Sequence, residues 1–111
     1  MNYRIYLDDI RNPKGDFDFI ARTSNEAIRI MEANGCPEFI SFDFDLGNDD
    51  RAINVVKFMI NEDLDTNGEF IPENFTWYTH SANGIGKSMI DGYLRSYFAS
   101  KYNTGPTETR T

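Results

Sequence analysis

The chain has one cysteine, Cys36, so no disulfide can form within it. That fits a reducing compartment, and the cytoplasm is the expected location. Cys36 stands between Gly35 and Pro37, where it reads as an ordinary half-buried thiol and not as a nucleophile. Basic residues are also few: 11 Lys and Arg against 18 Asp and Glu give a formal net charge of -7. Such a chain repels DNA or long RNA unless its few cations cluster. No apolar run approaches the roughly 20 residues that span a bilayer, so no membrane partner is expected. The opening MNYRIYLDD turns acidic too soon for a secretory signal. Internal repeats, low-complexity tracts and inter-domain linkers are missing as well.

A hydrophobic fraction of 40%, with nine Phe, six Tyr and one Trp, fills one modest core in 111 residues. Periodicity predicts a strand over Tyr3 to Leu7, a loop around Arg11 to Gly15, and a strand over Phe17 to Arg22. Thr23-Ser24-Asn25-Glu26 has capping-box spacing. Ala27, Ile28, Ile30 and Met31 follow at helical spacing, and Gly35 ends that helix. The third strand is predicted over Phe39 to Leu46, with Asp43 and Asp45 on one face. A helix follows from about Arg51 to Glu62, with Ile53, Val56 and Ile60 inward. Residues 63–74 read as a long polar loop, and Phe75 to Thr79 as the fourth strand. The last helix is predicted from about Lys87 to Lys101, with Met89, Ile90, Tyr93, Leu94, Tyr97 and Phe98 inward. An exposed aromatic face on that helix would suit a homodimer. Residues 3–102 form the expected domain, and 103–111 a Thr-rich tail expected to fray.

Strands alternating with helices predict an α/β fold: a small flavodoxin-like three-layer sandwich with a mainly parallel sheet of about four strands and about three helices. The first connection is too short for a helical crossover. With strand order 2-1-3-4, a crevice opens between strands one and three at their C-terminal ends, where ligands bind in open parallel sheets.

The polar residues gather at those ends. Asp8 and Asp9 follow strand one, Asp43 and Asp45 end strand three, and His80, Ser81 and Asn83 follow strand four. Crowded carboxylates repel one another, and a hard cation such as Mg²⁺ or Mn²⁺ relieves them while bridging to a phosphate. His80, the single histidine, suits a general acid or a phosphate donor. Ser81 and Asn83 can donate to phosphate oxygens or serve as turn residues. Arg11 is placed to clamp phosphate or to neutralise the aspartates, and Arg22 reads as structural. Gly84-Ile85-Gly86-Lys87-Ser88 lacks the first glycine of a Walker loop, though a helix N-terminus there could still bind an anion.

Four motifs in order carry a resemblance: Leu7-Asp8-Asp9-Ile10-Arg11, Ala21-Arg22-Thr23 with Glu26-Ala27, Ile40-Ser41-Phe42-Asp43-Phe44-Asp45-Leu46-Gly47, and His80-Ser81-Ala82-Asn83. Together they resemble the cyclic-phosphate-processing receiver-like domains, small proteins of bacteria and their phages related to two-component receivers. The resemblance implies a receiver-like sheet with an acidic metal site. Asp8 and Asp9 match the metal-binding pair, and Asp43 the phospho-accepting position. It further implies processing of cyclic or terminal phosphates on nucleotides or RNA ends, inside a bacterial host cell. Phe44 stands where members often have histidine, and the chain is too short for the receiver's fifth strand with its lysine and its fifth helix. Phosphorelay signalling is therefore not expected.

Three readings stay open from sequence. The first is a metal-dependent phosphoesterase: Asp8, Asp9 and Asp43 hold the metal, Asp45 orients water, and His80 protonates the leaving oxygen. The second is a non-catalytic module that captures a cyclic nucleotide or blocks a partner protein, a reading Phe44 favours. The third is a degenerate receiver acting through protein contacts.

Overall fold

The computed structural model describes residues 2–102. The expected tail over 103–111 lies outside them. Four parallel strands form one sheet in the order β2-β1-β3-β4: β1 Arg4–Leu7, β2 Phe19–Ala21, β3 Phe39–Phe42 and β4 Thr76–Thr79. Ile5 pairs with both Phe19 and Ile40, and Phe42 with both Leu7 and Thr79. Three helices complete the fold: α1 Ser24–Asn34, α2 Ile53–Asp65 and α3 Gly84–Tyr102. None of them is long and apolar enough to cross a membrane.

The crossovers β2-α1-β3 and β3-α2-β4 step across the sheet in the same direction. Right-handed connections therefore put α1 and α2 on one face. α3 packs against α2 and β4, so all three helices share that face. The core lies beneath them: Ile5, Leu7, Ile40 and Phe42 from the sheet meet Met31, Val56, Met59, Ile90 and Leu94 from the helices. Residues 8–18, too few for a helix and its turns, join β1 to β2 without one. This loop, and no helix, meets the sheet's other face, so among the described residues two layers of regular structure stand where three were expected. Phe17 of the loop packs edge-on against Tyr6, with ring centroids 5.3 Å apart.

Thr23 caps α1 as predicted, while the return bond from Glu26 falls on the residue before the cap and not on the cap itself. Thr23 Oγ accepts from Glu26 N at 3.1 Å, and Glu26 Oε1 accepts from Arg22 N at 2.6 Å. Its C-terminal Gly35 takes φ +84°, a left-handed value that costs glycine little. Next to it, burial and then the negative charge of Asp63 push the Cys36 thiol up to about 12, which keeps it protonated and unreactive.

Several boundaries differ from the sequence expectation. β2 covers only Phe19–Ala21, and β3 stops at Phe42 instead of Leu46. After Phe42 the chain folds back on itself. Leu46 N donates to Asp50 O, Asp45 bridges to Arg51, and Ala52 N donates to Phe44 O. Gly47, Asn48 and Asp49 all take positive φ in this turn. Phe44 and Leu46 still point inward and are buried, so the alternation outlives the strand. α2 runs on to Asp65, which places Asp63 inside a helix and not in a loop.

α3 starts three residues early, because Asn83 caps it: Asn83 Oδ1 accepts from Gly86 N at 3.0 Å. Its buried stripe is Gly86, Ile90 and Leu94. Met89 and Tyr93, expected inward, are exposed because they lie one step off that stripe. Gly86 is required where it stands, since a Cβ there would sit 2.3 Å from Phe44 Cγ. Gly86→Ala should therefore lower the unfolding free energy by about 2 kcal/mol, despite alanine's better helix propensity. Denaturant titration tests this, and equal or greater stability of the variant would refute the packing account.

Candidate active site

β1 ends at Leu7 and delivers Asp8 into the crevice beside β3. Asp8 is 1% exposed. Its Oδ1 accepts from Ile10 N at 2.9 Å and from Arg11 N at 2.8 Å, closing the turn that follows the strand. Its Oδ2 lies 3.0 Å from His80 Nε2. Burial by itself would raise the Asp8 carboxyl; the two amides and His80 outweigh it and hold the group below its ordinary value.

Asp43 follows β3 and is held by its own amide, which donates to Leu7 O at 2.8 Å. Burial first, and then the charges of Asp8 and Asp9, raise its carboxyl above the ordinary value. One carboxylate oxygen from each of Asp8, Asp9 and Asp43 lies within 4.8 Å of the others. Gly47 leaves room for this group, because a Cβ there would come 3.2 Å from Asp9 Oδ2. Three hard oxygen donors, one of them destabilised as an anion by its neighbours, fit a divalent cation of the Mg²⁺ type.

These three aspartates share an open cleft of about 370 Å³ with Arg11, Asp45, Ser81 and Asn83. Seven of the eight candidate residues thus line one cavity. Arg11 is largely exposed, with Nε 3.9 Å from Asp8 Oδ2. Asp45 is exposed and accepts from Asn83 Nδ2 at 3.1 Å. Ser81 Oγ accepts from Asn83 N at 3.1 Å, so Ser81 and Asn83 also build the turn that starts α3.

His80 stands behind the cleft wall, with its side chain 14% exposed. Its ring stacks on Tyr6 at 4.7 Å and 4°. Nδ1 lies 2.7 Å from Ser41 Oγ while Nε2 faces Asp8, so both ring nitrogens have protein partners. The tautomer that donates from Nε2 to Asp8 leaves Nδ1 to accept the Ser41 hydroxyl proton. Sequence reasoning did not single out Ser41 or Tyr6 for the site; the strand alternation that puts both on the His80 face was the available signal. Arg22 secures the loop beneath: Nη1 donates to Asp8 O at 3.0 Å and to Arg11 O at 2.6 Å, and Nη2 donates to Asn12 Oδ1 at 2.5 Å.

A model of the cyclic-phosphate processing receiver domain matches residues 3–96. The chain belongs to that family. No curated protein and no solved structure matches it. In this receiver domain the Asp8–Asp9 pair and Asp43 meet at the C-terminal ends of β1 and β3, the crevice position of the fold. Phe44 packs into the core against Gly86. The Phe44 side chain thus points away from the three aspartates and does not line their cleft.

Proposed function

We propose that this receiver domain is a divalent-metal-dependent phosphoesterase that opens a cyclic phosphate on a nucleotide or an RNA end. The convergence of Asp8, Asp9 and Asp43 within 4.8 Å, in a cleft that also holds Arg11, Ser81 and Asn83, carries this reading. Asp8, Asp9 and Asp43 hold the cation. When bound, it would offset the phosphate's negative charge and polarise its P–O bonds. Arg11 and Ser81 donate to the non-bridging oxygens. Asp45, at the open side and steadied by Asn83, orients a water. The water oxygen adds to phosphorus and its proton passes to solvent, the ring P–O bond breaks, and the departing oxygen takes a proton back from solvent at the cleft mouth. The product is a phosphomonoester.

The expectation that His80 protonates the leaving oxygen gives way here. Held between Ser41 and Asp8, His80 instead orients a metal-binding carboxylate, much as partners behind a ligand do in metal sites. His80→Ala should weaken cation affinity by about 10–100-fold while the fold is kept. Calorimetric titration with Mn²⁺ measures this, and unchanged affinity would refute the orienting role. Cation affinity should also fall on acidification at a pH above the ordinary 3.8, because the raised Asp43 carboxyl takes up its proton first.

The deciding experiment incubates the protein with 2′,3′- and 3′,5′-cyclic nucleotides, with Mg²⁺, Mn²⁺ or a chelator, and follows the monoester products. Metal-dependent ring opening supports the proposal. A folded, cation-binding protein that gives no product refutes it and favours capture of the cyclic phosphate without turnover.

A further inference from the structure

β4 is an edge strand of the sheet. Thr76 N donates to Glu38 O and His80 N to Phe42 O, so the even-numbered residues of β4 face β3. The N–H and C=O groups of Trp77 and Thr79 must then face outward. Among the described residues nothing pairs with them. Such an edge is normally blunted or covered. Here it is lined instead by a groove of about 390 Å³ that runs along four consecutive β4 residues and is walled by Lys87, Asp91 and Arg95 of α3.

The charge of this groove is opposite to that of the chain. Lys87 and Arg95 are exposed, and among the described residues neither has a carboxylate within 4.0 Å. Lys87 Nζ lies 5.6 Å from the Tyr78 ring centroid and Arg95 Cζ 5.7 Å from that of Trp77. The one acid between them, Asp91, is already engaged, accepting from Trp77 Nε1 at 2.9 Å and Thr79 Oγ1 at 3.3 Å. A row of unpaired main-chain groups flanked by two free cations suits an extended anionic chain.

We infer that the β4 edge is a docking site for an acidic peptide segment of a partner protein, which adds to the sheet as a further strand. The main chain of Trp77 and Thr79 pairs with the incoming backbone, and Lys87 and Arg95 meet its carboxylates. The spacing is specific. Lys87 and Arg95 are eight residues apart on one helix, about 12 Å along its axis. Four residues of an extended strand cover about 13 Å. Acidic side chains at positions i and i+4 of the peptide therefore reach both cations from one face. A second copy of the chain fits less well, since it would bring its own Lys87 and Arg95 to the same cations. The inference is independent of the chemistry at Asp43.

Trp77 is the only tryptophan and lies in the groove, so its fluorescence reports occupancy. An array of ten-residue Ser/Thr/Val peptides carrying two Glu at every spacing would be titrated against the protein, with backbone amide exchange followed at Trp77 and Thr79. Peptides with Glu four apart should bind best and protect both amides. Replacing the two Glu by Lys should weaken binding at least about tenfold. The double variant Lys87→Glu with Arg95→Glu should reverse the preference, which shows that it remains folded. Absence of binding at millimolar peptide, indifference to spacing and charge, or binding without amide protection would overturn the inference. So would tighter binding of a short oligonucleotide through the same two cations, self-association of the protein that protects the same amides, or peptide binding that appears only when the chain is ended at Tyr102.

Discussion

Asp43→Asn is expected to abolish cation-dependent turnover without harm to the fold. The substitution keeps the shape of the side chain and removes one of three anionic oxygens that lie within 4.8 Å of one another. Loss of a group behind a ligand costs about 10–100-fold in affinity or activity, so loss of the ligand itself should exceed about 100-fold. Stability should move the other way. In the native protein the Asp43 carboxylate is disfavoured by burial and by the charges of Asp8 and Asp9. A neutral amide escapes that repulsion and can donate to a neighbouring carboxylate, so the variant should be as stable as the parent at neutral pH, or more so. The sign follows from linkage. A carboxyl whose native value is raised destabilises the fold where it is ionised, and the penalty disappears as pH falls below that value. Any gain in the variant is thus largest near neutrality and vanishes in acid. Turnover assays paired with thermal unfolding at several pH values test both halves. Turnover within about threefold of the parent would remove Asp43 from the site.

Asp63→Asn is expected to cost about 3 kcal/mol of stability, with no direct effect on the cleft. Asp63 is fully buried in the last turns of α2. It accepts from Ile71 N at 2.7 Å, Tyr97 hydroxyl at 2.5 Å and Lys101 Nζ at 2.9 Å. Lys101 Nζ also donates to Ile71 O at 2.9 Å. One carboxylate thereby ties α2, the loop ahead of β4 and the end of α3. An amide in its place turns its NH2 either toward the Ile71 amide or toward the Lys101 ammonium, both of which can only donate, and it leaves a mostly buried ammonium without its counter-charge. Burial alone would raise the Asp63 carboxyl; the bonds from Ile71, Tyr97 and Lys101 outweigh it and hold the group below 3.8. A depressed carboxylate contributes stability above its unfolded value and loses it as pH falls through the native one. The gap between parent and variant should therefore persist from pH 7 to about 5 and close only below 3.8. Near neutrality the melting temperature should drop by more than about 10 °C, and a drop of less than about 4 °C would show that the network contributes little.

Much of the cleft was legible because parallel α/β architecture has few options. Asp8-Asp9, Asp43 and His80-Ser81 all follow apolar segments that read as strands, and strand ends in such a sheet share one rim. The alternation that placed Asp43 opposite Phe42 and Phe44 held even where the strand itself stopped. The strand end was misread because Phe44 and Leu46 continue the apolar pattern. Only the turn at Gly47, Asn48 and Asp49 sends the chain back, and its positive φ values are set by the contacts of the loop. The start of α3 was misread for a similar reason. Gly84 and Gly86 argue against a helix by propensity, whereas the Asn83 cap and the close approach of Phe44 favour one.

By itself the sequence determined the fold class, the family and the set of acidic residues that meet at the sheet's rim. Each follows from local pattern: period-two and helical spacing, a capping box, and motifs in fixed order. The tertiary structure decided what those residues touch. His80 became the partner of Asp8 and Ser41 because β4 lies beside β3 and its first residue past the strand falls over Tyr6. Asp63 became a buried anchor because α3 returns across the end of α2. Such pairings join residues 34 and 72 positions apart. Their distances depend on how whole elements pack, which no local pattern encodes.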